Sequence, residues 1–251
     1  MIALTTYKWI AALLIFMVSA FLPNLFLKKQ GKTIKHGEPM SLGEAFAAGI
    51  FLGAAFFHLL PDASHLFHLH YPFITYPIPS AVCVGSILLF FLLERMSLSY
   101  GKAKLVLPRM VIIILIIHAL TEGAALGIGS GFSEAIMLSI AIIAHKGSEG
   151  FALAMVLLRH GWSLTRVLRF SWFFAAMTPL GILLGANLSI FHVVQSELLE
   201  SLFSAFAAGT FIYIGALHQL HGHSHAHEEN VKRLGFVALG AIIMGLLALV
   251  D

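Results

Sequence analysis

Charge is what this chain has least of. Asp, Glu, Lys and Arg make up 11% of its 251 residues, against about 25% in an average soluble domain. So few charges cannot cover a water-soluble surface. A hydrophobic content of 59% and a mean hydropathy of +0.92 place the chain in a bilayer instead. Cysteine is nearly absent: Cys83 stands alone, which excludes an intramolecular disulfide and a thiolate metal cluster and leaves it a small packing residue. No Gly-x-x-x-x-Gly-Lys-Ser/Thr run occurs, so ATP is not an expected partner. His-Glu-x-x-His, the zinc-protease signature, is missing too. The net charge of +3 comes from basic residues in short loops rather than from a patch, and no nucleic-acid partner is expected.

Long apolar runs are present instead. Eight lie at about 6–27, 42–60, 76–94, 105–128, 134–158, 166–191, 199–220 and 232–250. Each is long enough to cross the hydrocarbon core as a helix. Continuous apolarity argues against a barrel, whose strands alternate. The expected fold class is all-α: a polytopic membrane helical bundle with eight transmembrane helices, forming one transmembrane domain over residues 1–251. The first run is followed at once by Lys28 and Lys29 and is too long for a signal core, so it is read as a span rather than a signal peptide.

Loops after spans 1, 3, 5 and 7, counted with the span ends that border them, hold 13 of the 15 Lys and Arg residues, the others being Lys8 and Lys146. The positive-inside rule puts those loops in the cytoplasm and both termini on the extracytoplasmic side. A basic loop at about 28–41 and a His-rich loop at about 218–231 are therefore cytoplasmic. Ser41-Leu-Gly-Glu44 has capping-box spacing, which makes Glu44 a cap. Pro179 predicts a kink in span 6. Glycines at 123, 127 and 131, at 181 and 185, and at 49 and 53 repeat every four residues, the spacing at which helices approach closely.

Two patterns within spans 4 and 5 carry the chemistry: His118-Ala-Leu-Thr-Glu122-Gly123 and His145-Lys-Gly-Ser-Glu149-Gly150. Each sets an imidazole and a carboxylate four residues apart, on one helix face. A carboxylate at mid-bilayer costs about 2.5–3.5 kcal/mol on insertion scales, so something must compensate two of them. Antiparallel helices turning near residue 131 bring both pairs to one depth, because His118 and His145 lie 13 and 14 residues from it. Two neutral imidazoles and two carboxylates are the N and O donors of a divalent transition metal. A metal site at that depth points to transport. Lys146 beside it balances the carboxylates and discourages a second cation.

These two patterns resemble the span 4 and span 5 signatures of the ZIP (Zrt-, Irt-like protein) metal transporters. Phe57-His58-Leu-Leu-Pro61-Asp62 is similar to that family's span 2 ending, Thr178-Pro179-Leu-Gly181 to its span 6, and Ala208-Gly209-Thr210-Phe211-Ile-Tyr213 to its span 7. The resemblance runs through nearly the whole chain. It implies uptake of a divalent metal toward the cytoplasm by alternating access, through an elevator-like motion of one helix group, with His118, Glu122, His145 and Glu149 as ligands. Zinc is the expected cargo, with Cd2+, Fe2+ and Mn2+ as substitutes, and no catalytic cofactor is expected. Some members add a second metal, using an Asn after the span 4 His, an Asp at the position of Lys146 and an acid in span 6. Ala119, Lys146 and an acid-free span 6 depart from that pattern, so one transport metal is expected.

Other polar groups line an expected path. His58, Asp62 and Glu134 lie at the outer ends of spans 2 and 5, where acids and imidazoles would gather cations. His218, His221, His223, His225 and His227 form a cytoplasmic tract suited to loose metal binding at the exit. The remaining expected partner is the lipid bilayer, and a homodimer is left open. The expected location is the plasma (inner) membrane. Two alternatives compete: an intramembrane zinc-dependent hydrolase using Glu122 or Glu149 as base, and a metal exporter, given the His58-x-x-x-Asp62 spacing. The first needs a water position and an oxyanion stabiliser, and the chain is not expected to be an enzyme.

Overall fold

A computed structural model describes residues 2–30, 42–99, 103–129, 131–190, 196–218 and 227–249. Every regular element among them is helical: α1 Ile2–Gln30, α2 Leu42–Ala54, α3 Leu60–His70, α4 Ile78–Ser99, α5 Ala103–Ile128, α6 Phe132–Arg159, α7 Leu164–Ala175, α8 Met177–Ile190, α9 Ser196–Ile212 and α10 His227–Leu247. Wide π turns at Ala55–Leu59 and Tyr213–His218 join α2 to α3 and extend α9. A helix satisfies its own backbone, which is why lipid admits it.

Seven stretches of the described residues are long and apolar enough to cross a membrane: Leu4–Leu25, Leu42–His70, Ile78–Met96, Val111–Ile128, Phe132–Arg159, Leu164–Asn187 and Leu198–Ala216. They match the first seven predicted spans. The eighth falls on α10, His227–Leu247, which is not among these seven. Ser41 lies outside the described residues. Glu44, predicted to be a cap, stands in the first turn of α2 and gives both carboxylate oxygens to Arg159 on α6, accepting from Nε at 2.8 Å and from a terminal guanidinium nitrogen at 2.6 Å.

The helices pack in two groups. One holds α1, α5, α6, α7 and α8; the other holds α2, α3, α4, α9 and α10. They meet where α5 faces α9 and where α2 faces α6. Small residues set the closest crossing in each. Gly123 and Gly127 of α5 lie against the backbone of Thr178 and Ile182, and Gly181 and Gly185 of α8 lie against that of Leu120 and Ala124. Gly49 and Gly53 of α2 meet Val237 and Ala241 of α10 in the same way. Gly131 departs from the predicted repeat: it is the extended N-cap of α6, folded over the Glu134 side chain. Pro179 acts as predicted. It has no N–H for the carbonyl four residues back, and the span 6 helix breaks at Ala176.

Candidate metal centre

α5 ends at Ile128 and α6 begins at Phe132, and the two His-x-x-x-Glu faces of these successive helices meet well inside both. The side chains of His118, Glu122, His145 and Glu149 are all buried, at 0–1% exposure. One ligand-type atom from each lies within 4.8 Å of the others. His118 Nε2 is 2.9 Å from Glu149 Oε1 and 3.7 Å from Glu122 Oε1. His145 Nε2 is 2.5 Å from Glu122 Oε1. Small side-chain movements would let a single ion touch all four.

Lys146 stands beside them, 1% exposed. Its Nζ donates to Glu122 Oε2 at 2.7 Å and pairs with Glu149 Oε2 at 2.6 Å. The ammonium thus occupies the outer oxygen of each carboxylate and leaves the inner oxygens facing the imidazoles. With neutral imidazoles the five groups carry a formal −1.

Support comes from α9, in the other helix group. Thr210 Oγ1 lies 2.7 Å from His118 Nδ1. The Phe211 ring stacks on His118 with centroids 3.8 Å apart and meets His145 edge-on at 4.9 Å. Phe51 of α2 backs that ring at 4.9 Å. Thr210 and Phe211 were legible only within a family-like string. Nothing in their type or spacing marks them as neighbours of His118, since the contact spans 92 positions.

The other predicted residues divide. Asp62 and Glu134 line one cavity of about 350 Å³ at the end of the bundle where α6 begins, together with His65, Glu200 and Ser204. Glu200 has no motif to betray it. It faces Gly129, whose carbonyl accepts from Lys8 Nζ at 2.6 Å. His58 is buried on the first π turn, with Nδ1 2.8 Å from Asp62 Oδ2. His218 ends the second π turn and His227 opens α10. His221, His223 and His225 lie outside the described residues.

Comparison with known proteins gives a consistent result. The profile of the family described as ZIP Zinc transporter matches residues 4–109 and 101–248. "Zinc transporter ZIP1" of Homo sapiens is 25% identical over 94% of this chain and 87% of its own length. The protein of the same name from Mus musculus is also 25% identical, with the same coverage. That from Takifugu rubripes is 24% identical over 86% of this chain and 87% of its own.

Proposed function

The chain belongs to the ZIP zinc transporter family, and from that premise we propose that it carries zinc across a membrane toward the cytoplasm, with His118, Glu122, His145 and Glu149 as the transport ligands. It is an integral membrane transporter, not an enzyme. The observation that carries the ligand assignment is the convergence of four buried N and O donors from α5 and α6. Neutral imidazoles with two carboxylates give zinc a donor set of zero net charge. Cd2+, Fe2+ and Mn2+ are competitors for the same donors.

Lys146 keeps the two acids from repelling each other between cargoes, and its ammonium disfavours a second ion at the position it occupies. One ion per site is therefore part of the reading. The path is entered at the cavity lined by Asp62, Glu134 and Glu200, where three carboxylates raise the local cation concentration. His58 lies one helical turn inside Asp62. The tract of His218, His221, His223, His225 and His227 receives metal on the cytoplasmic side. Eight spans with both termini outside, in the plasma membrane, complete the arrangement, α10 being the eighth. Access alternates as one helix group moves against the other. The apolar faces of α1, α4 and α10 then meet lipid, and a homodimer would use one of them. The hydrolase and exporter alternatives have no support in the family comparison.

Radiolabelled zinc uptake into cells or vesicles tests the ligand assignment. His145→Ala and Glu149→Ala are each expected to abolish uptake with membrane insertion unchanged. Full uptake by both would remove them as ligands. Lys146→Asp is expected to admit a second ion, read by metal analysis of the purified protein. One ion per chain in that variant would sink the exclusion role.

A further inference from the structure

A hydroxyl has one proton to give, and at Thr210 its destination is fixed. Thr210 Oγ1 lies 2.6 Å from the carbonyl oxygen of Ala207, which can only accept. Its 2.7 Å contact with His118 Nδ1 must then run the other way, with the ring donating. His118 Nδ1 therefore carries the ring proton. In the neutral ring Nε2 holds the lone pair, and Nε2 is the atom that faces Glu149 and Glu122. Phe211, stacked on the same ring, restrains its plane. His145 has no such anchor: its Nδ1 is buried without a hydrogen-bond partner among the described residues.

We infer that Thr210 is a positioning residue that holds His118 in the Nδ1–H tautomer and so presents the Nε2 lone pair to the transported ion. The inference rests on the reading of His118 as a ligand. Without an acceptor at Nδ1, the ring gains by moving its proton to Nε2 and donating to Glu149, and an incoming ion must then displace that proton. Outer partners of metal-ligating histidines commonly change metal affinity 10- to 100-fold. Thr210 acts through His118 alone, so its effect must vanish when His118 is absent.

The test is zinc affinity of the purified full-length protein in detergent, by competition with a fluorescent zinc chelator. Thr210→Val is expected to weaken zinc by about 10- to 100-fold, and Thr210→Ser to stay close to the unaltered protein because it keeps the hydroxyl. Thr210→Ala removes the hydroxyl without added branching and replaces the valine variant should that one fail to fold. In a His118→Ala background, loss of the hydroxyl is expected to add no further weakening, whereas a general packing role would remain additive. Unchanged affinity in the valine or alanine variant, a serine variant as weak as they are, or additivity with His118→Ala would each overturn the inference. Unchanged affinity in His118→Ala alone would instead overturn the ligand assignment on which it stands.

Discussion

An ammonium and two carboxylates share a volume from which water is excluded, between Lys146, Glu122 and Glu149. Removing one member of such a group leaves charge buried without a partner, at a cost of about 3–5 kcal/mol. Lys146→Met is therefore expected to lower the unfolding temperature of the zinc-free protein and to enlarge the stabilisation that zinc provides, because the ion then replaces the missing positive charge. Thermal unfolding in detergent, with chelator and with zinc, reads both. An equal zinc-induced shift in the variant and the unaltered chain would show that Lys146 does not share the site's charge. The same logic explains the two oxygens of each acid: one is held by Lys146 and the other faces an imidazole.

At the scale of elements, packing is set by what glycine leaves out. A side chain on Gly127 would run into the backbone of Ile182, Gly185 and Ala186 on α8. Forcing bulk into such a contact costs about 1–3 kcal/mol, and here it would also push α5, which carries His118 and Glu122, away from its support. Gly127→Leu is expected to reduce both stability and uptake. Gly235→Ala on α10 is the contrast: nothing lies within 4 Å of the added carbon, and alanine is the better helix former by up to about 1 kcal/mol. Melting temperatures for the pair check the assignment, and equal losses in both would show that the crossing is not close-packed. Prolines act at the same scale. Pro179 breaks span 6 at Ala176, and Pro61 stands in the first turn of α3, two residues past the π turn that holds His58.

For the whole molecule the important surface is the one between the two helix groups. α5 and α6 supply the four donors from one group, while α9 supplies Thr210 and Phe211 from the other. At the end of the bundle away from the acidic cavity, Glu44 and Arg159 bridge the same boundary. Relative motion of the groups must break both contacts. Cysteines at positions 44 and 159, in a Cys83→Ala background, are expected to preserve uptake while free, since removing both partners of an ion pair is milder than removing one. Joining them with a short bismaleimide is expected to stop uptake. Undiminished uptake after verified cross-linking would rule out relative motion at that boundary.

Composition alone placed the chain in a membrane, because so few charges leave no other solvent for its surface. Spacing alone paired each histidine with a carboxylate, because 3.6 residues per turn puts positions four apart on one face. The pairing of the two helices also followed from distance to the turn, and it holds: the four donors converge. The Glu44–Arg159 pair was not legible, because Ser41-Leu-Gly-Glu44 is a local pattern whereas Arg159 is 115 positions away. Thr210 and Phe211 stand in a family-like string that does not tell their contacts, and Glu200 stands in no motif. Only the tertiary structure decided them, since periodicity fixes which residues share a face of one helix but not which face of another helix it meets.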